Sequence, residues 1–119
     1  MLTCTANKHE KVIDCIESNF NHKGLKCIKE VSIGNRRVDL ECDGGYIEVK
    51  RTCEDFTSKR SHYQIYDMKN YADIAHKPLV VHTPSGCYTP MNKQGSKYIE
   101  KHHLPQCPPT HGLRCIKSH

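Results

Sequence analysis

Arg36-Arg37-Val38-Asp39-Leu40-Glu41-Cys42-Asp43-Gly44-Gly45-Tyr46-Ile47-Glu48-Val49-Lys50 is the stretch whose reading decides the fold. It predicts a hairpin: a short strand ending near Asp39, a turn at Asp43-Gly44-Gly45, and a second strand from Tyr46 to Lys50. Asp-Gly and Gly-Gly favour turns because glycine takes positive φ without steric cost. Side chains alternate along a strand, so Glu48 and Lys50 share one face while Ile47 and Val49 take the other. An Asp on the adjacent strand can reach the same place. Two carboxylates and a lysine are then expected at one end of the hairpin, in front of an apolar face.

Such a group suits hard-cation chemistry. Two carboxylates plus waters make an oxygen site fit for Mg²⁺ or Mn²⁺, which also accept phosphate oxygens. A metal-bound water is more easily deprotonated. Lys50 is placed to orient that water or to offset charge on a phosphate. The reaction this implies is metal-assisted phosphodiester hydrolysis. The plain alternative is an exposed ion pair, which would stabilise by only about 0–1 kcal/mol.

Asp39 followed by Glu48-Val49-Lys50 resembles the Asp … Glu-x-Lys motif of the PD-(D/E)XK nuclease superfamily. The order of elements is most similar to archaeal-type Holliday-junction resolvases and Mrr-like restriction nucleases. The resemblance runs from Lys8 to His82 and departs from the family at Val38, which stands where the naming proline would. It implies a restriction-endonuclease-like mixed sheet flanked by helices, in the order α-β-β-β-α-β. It also implies a metal-dependent DNA endonuclease, with branched DNA among the candidate substrates, acting as a homodimer. Asp39, Glu48 and Lys50 would be catalytic, Asp39 and Glu48 with metal-ligand roles. A glutamate early in the first helix would complete the metal site; Glu10 is favoured for oxygen chemistry, with His9 as the alternative alignment. Gln64, at the start of the second long helix, would sit beside Lys50.

Other elements follow from periodicity. Residues 8–20 read as a helix with a stripe of Val12, Ile13, Ile16 and Phe20. Asn7 and Glu10 suggest a capping box, and Gly24 suits the C′ position. Residues 25–33 read as a strand, turning at Gly34-Asn35, and 51–60 as a loop. Residues 61–76 read as a helix capped by Ser61, with Tyr63, Ile65, Tyr66, Met68, Ala72 and Ile74 forming a broad apolar face. Leu79 to His82 reads as a buried strand, parallel to that of Glu48 because a helix joins them. Residues 84–119 read as a less regular extension with a short helix at 96–103.

At 119 residues the chain is expected to form one domain. Residues 1–73 balance 12 basic against 12 acidic side chains, so the net +5 lies wholly C-terminal to them. A basic segment attracts nucleic acid. Arg36, Arg37, Arg51, Lys59 and Arg60 flank the hairpin and the following loop and are candidates for phosphate contacts. Glu41 and Asp43 follow Asp39 at alternate positions; Asp43 is explained by the turn, and Glu41 shares Asp39's face.

No apolar run is long enough to span a membrane. The N-terminal residues lack a signal-like apolar stretch, so an intracellular, cytoplasmic protein is expected. Cys15 and Cys27 stand at apolar positions, where a free Cys acts as a small hydrophobe. Intracellular disulfides would fit a hyperthermophilic source. Cys107, His111, Cys115 and His119 are evenly spaced, a possible zinc set, with a Cys107–Cys115 disulfide or two free thiols favoured over it. Two further readings stand beside the endonuclease: a nucleic-acid-binding module without cleavage, and a zinc- or disulfide-stapled interaction protein.

Overall fold

The computed structural model of the chain describes residues 3–51 and 58–109. Its elements are α1 (His9–His22), β1 (Cys27–Ile33), β2 (Arg36–Cys42), β3 (Gly45–Val49), α2 (Lys59–Ile74), β4 (Leu79–His82), β5 (Tyr88–Pro90) and α3 (Lys93–Lys101). The strands form one mixed sheet in the order β1-β2-β3-β4-β5. β3 and β4 are parallel, as the intervening helix requires, and the other neighbours are antiparallel. The fold class is therefore α/β.

The central hairpin forms through a two-residue turn. Cys42 pairs with Gly45, leaving Asp43 and Gly44 as the central residues. Both have positive φ, 48° and 78°, the signature of a type I′ turn. Gly45 belongs to the strand rather than the turn. A Cβ there would come within 2.3 Å of the Tyr98 ring, so Gly45 is there for close packing. Tyr98 completes the lock by donating its hydroxyl to the Cys42 carbonyl at 2.6 Å.

Two cores sandwich the sheet. On one face, Val12, Ile13, Ile16 and Phe20 of α1 pack with Leu40, Ile47, Val49 and Val80, joined by Tyr98 and Ile99 of α3. On the other, Met68 and Ala72 of α2 pack with Ile33, Val38, Tyr46 and Leu79. Val38 and Leu40 thus serve opposite cores although their spacing would place them on one face. The strand changes face between them, at Asp39. The paired residues of β1 and β2 run from Lys29–Leu40 to Val31–Val38 and skip Glu30 and Asp39, and Glu30 holds a left-handed φ of 53°.

Several expectations need correction. No capping box closes α1: Lys8 is the cap residue and makes no side-chain cap bond. Asn7 lies one residue too early. The other end matches the expected Schellman pattern, with Gly24 N–H donating to Asn21 and Leu25 N–H to Phe20. α2 is capped by Ser58, whose side chain accepts from the Ser61 N–H; Ser61 is buried inside the helix. The apolar face of α2 is narrower than its composition suggested. Ile65, Met68 and Ala72 point inward, while Tyr63, Tyr66 and Ile74 are exposed.

Residues 84–109 also hold more regular structure than expected. β5 was hidden by its length of three residues and its terminal proline, both typical of an edge strand. α3 begins earlier than residue 96, at Lys93, capped by Asn92.

The cysteines are the largest correction. Cys4–Cys15, Cys27–Cys42 and Cys87–Cys107 are disulfides, so all six described cysteines are paired. Cys15 and Cys27 are not free hydrophobes, and Cys107 pairs with Cys87 rather than with Cys115. Its thiolate is not available to a zinc set. His111, Cys115 and His119 lie outside the described residues. None of the described helices is long and apolar enough to cross a membrane.

Candidate functional site

β2, β3 and the first turns of α1 and α2 meet at one end of the sheet. Asp39 and Glu48 face each other where the hairpin ladder stops. The last backbone pair on that side is Leu40–Ile47. Beyond it, side chains replace the ladder reciprocally. Glu48 Oε1 accepts the Asp39 N–H at 3.3 Å, and Asp39 Oδ2 accepts the Val49 N–H at 2.8 Å. The strand's change of face at Asp39 allows this exchange, and it brings both carboxyl groups to one spot.

Lys50 stands just past the end of β3, with its N–H held by the His82 carbonyl at 2.9 Å. Its Nζ lies 3.6 Å from Glu48 Oε2 and donates to Gln64 Oε1 at 3.3 Å. Gln64 is delivered by the first turns of α2, whose start is set by the Ser58 cap. Glu48 is 4% exposed and Lys50 9%. This disposes of the plain alternative, since a solvated surface pair does not sit in the interior.

Electrostatics make the site unusual. Glu48 is pushed up to about 8, first by burial and then by the charge of Asp39, with Lys50 pulling the other way. A buried carboxyl group with a second carboxyl beside it ionises only at a cost that Lys50 does not fully offset. The arrangement is short of a cation.

His9, not Glu10, is the α1 residue that reaches Asp39. His9 Nε2 lies 3.3 Å from Asp39 Oδ2 and 3.2 Å from the Val49 carbonyl. Glu10 is exposed, on the wall of an open depression of about 360 Å³ that it shares with His9, Asp14, Lys29, Glu30 and Asp39. Among the described residues no set of three or more His, Cys, Asp or Glu side chains is gathered in ligating position. Asp14, Lys29 and Glu30 were not singled out in the sequence. Lys29 bridges the strand to α1 through Asp14 at 2.6 Å, and Glu30 beside it holds a left-handed φ of 53° that its side chain does not announce.

The remaining candidates separate clearly. Glu41 pairs with Lys77, and Asp43 with Lys101 and His102, so neither joins Asp39. Arg36 spends its guanidinium on Asp67 of α2, at 2.9 and 2.8 Å. Arg51 donates to the Asn7 carbonyl at 3.0 Å, which ties the end of β3 to the start of α1. Arg37, Lys59 and Arg60 are exposed. No family model matches the chain, and neither a curated protein nor a solved structure matches it.

Proposed function

We propose that the chain is a metal-dependent endonuclease of the PD-(D/E)XK type that hydrolyses phosphodiester bonds in DNA. One observation carries the reading: Asp39, Glu48, Lys50 and Gln64 converge in a largely buried spot at the strand ends, linked by contacts of 3.3 and 3.6 Å. In open α/β sheets such strand ends are where ligands bind. The donor set fits a divalent cation, because the buried Glu48 carboxyl, raised to about 8 by burial and by the neighbouring charge of Asp39, is relieved by added positive charge. Asp39 and Glu48 would hold it, with His9 rather than Glu10 closest from the helix. The imidazole tilts the preference from Mg²⁺ toward Mn²⁺.

When bound, that cation supplies an acidified water and charge stabilisation at the phosphate. The chain's own residues do the rest. Glu48 keeps Lys50 Nζ in the pocket, and Gln64 fixes its direction. Lys50 then orients the attacking water or offsets the charge growing on the phosphate oxygens. Arg37, Lys59 and Arg60 hold neighbouring phosphates without reading bases. A homodimer would place two such sites on a branched substrate.

The binding-module reading has one observation in its favour, namely that no three-ligand group stands ready among the described residues. A cleavage panel of labelled linear, flapped and four-way DNA with Mg²⁺ and Mn²⁺ separates the two. Cleavage that Lys50→Ala lowers by at least about 100-fold, the lower end of a general acid–base contribution, is the expected result. DNA binding with no cleavage in either metal decides for the module. The three disulfides among the described residues favour a non-reducing setting. An intracellular location is compatible with them where thiols stay oxidised, as in hyperthermophiles.

A further inference from the structure

The outer face of α2 is the one large apolar surface that the two cores and the site leave unexplained among the described residues. Tyr63 is 63% exposed and Tyr66 62%, although both are large aromatics. They are three residues apart, so they are neighbours on the helix surface. Both lie opposite the buried stripe of Ile65, Met68 and Ala72. Tyr71 is different: its ring lies against Gly34 and so has a packing role.

The charge around these rings is one-sided. Lys59 and Arg60 are exposed in the first turn of α2, which contains no acidic residue. The acids further along the helix are already matched, Asp67 by Arg36 and Asp73 by Lys69. Among the described residues the helix therefore shows two exposed rings beside cations with no matching acid, and Gln64, between the two tyrosines in sequence, touches Lys50.

We propose that this face binds unpaired nucleotides of a DNA strand, stacking bases on Tyr63 and Tyr66 and holding phosphates with Lys59 and Arg60. Charge complementarity selects a polyanion. The exposed rings select unpaired bases over blunt duplex, because a duplex keeps its base faces stacked inside while every unpaired base offers a π-face. The inference rests on the endonuclease reading only for its purpose, which is to bring a single-stranded segment to Lys50. Flapped, gapped or splayed DNA then becomes the substrate class.

The test is fluorescence anisotropy of a labelled single-stranded oligonucleotide and of a blunt duplex of equal length, in EDTA so that nothing is cut. Wild-type protein is expected to prefer the single strand. Tyr63→Ala and Tyr66→Ala should each weaken single-strand binding by about 5- to 150-fold, the range for losing one stacked base. Blunt-duplex binding should stay nearly unchanged, and Tyr63→Phe and Tyr66→Phe should bind as wild type because stacking needs the ring alone. Both positions are exposed, so the variants are expected to keep the wild-type melting curve. Alanine variants that bind the single strand normally would overturn the proposal. So would phenylalanine variants that lose as much as alanine ones. A dimer that Tyr66→Ala dissociates, seen by light scattering, would instead make this face a contact between copies and also overturn it. Stacking-dependent binding without cleavage in the separate metal assay sinks only the endonuclease reading. Cleavage of blunt duplex with indifference to both tyrosines sinks only this one.

Discussion

Glu48 and His82 set opposite pH limits on the folded chain. An acid whose folded pKa is raised costs stability as pH climbs from its ordinary value to the folded one, because the unfolded chain ionises first. For Glu48 that window is 4.5 to about 8. A histidine whose folded pKa is depressed costs stability as pH falls. Burial of His82 lowers it from 6.5 to about 4, so its loss occurs between those values. The two effects oppose each other below 6.5, and Glu48 acts alone above it. Metal-free protein should therefore melt at progressively lower temperature from pH 6.5 to 8, and Glu48→Gln should flatten that slope. Thermal melts at half-unit pH intervals in EDTA check this. Added Mn²⁺ should restore the pH 8 value for wild type and not for Glu48→Gln. A wild-type slope that matches Glu48→Gln would show that the carboxyl pair is not the source.

Caps position the site at the scale of elements. Ser58 fixes where α2 begins, and hence where Gln64 meets Lys50. Asn92 does more. Its Oδ1 accepts from Gly95 N–H at 2.7 Å and Leu79 N–H at 3.2 Å, while Nδ2 donates to Asp73 at 3.1 Å and the Lys77 carbonyl at 3.0 Å. One side chain thus joins the end of α2, the start of β4 and the start of α3. Ser58→Ala should cost about 1 kcal/mol, an ordinary cap loss. Asn92→Ala should cost about 2 kcal/mol or more, because it also strands a β4 N–H. Urea denaturation of both variants compares them; equal losses would show that Asn92 is only a cap. Each residue looks like an unremarkable polar loop residue in sequence. The sequence signal pointed at Ser61 instead, since serine favours a cap and nothing local shows that Ser61 is buried.

At the scale of the whole molecule, three covalent ties among the described residues supplement a modest core. Cys4–Cys15 and Cys27–Cys42 hold the segment before α1 and the outer strand of the hairpin, and Cys87–Cys107 closes β5 onto the chain after α3. Their sequence separations of 11, 15 and 20 imply roughly 3 kcal/mol each on a chain-entropy basis. Mild reduction should lower the melting temperature markedly, by far more than loss of any surface ion pair. Calorimetry with and without reductant, beside thiol counting, checks it. A reduced chain that melts where the oxidised one does would show that the ties follow the fold rather than hold it.

Local chemistry sufficed for much of this architecture. Asp43-Gly44 specifies a tight turn because few other pairs accept two positive φ angles. Alternation then puts Glu48 and Lys50 on one face, and the helix between β3 and β4 forces those strands parallel. Only the tertiary structure decided which α1 residue reaches Asp39, that β2 changes face there, which cysteines pair, and that Tyr63 and Tyr66 lie outside the core. The physical reason is the same in each case. A turn or an alternating strand is determined by φ preferences and side-chain period within a few residues. The rotation of a helix on a sheet, a break in a ladder and the partner of a cysteine are set by packing between segments far apart in the chain, where no single residue carries the signal.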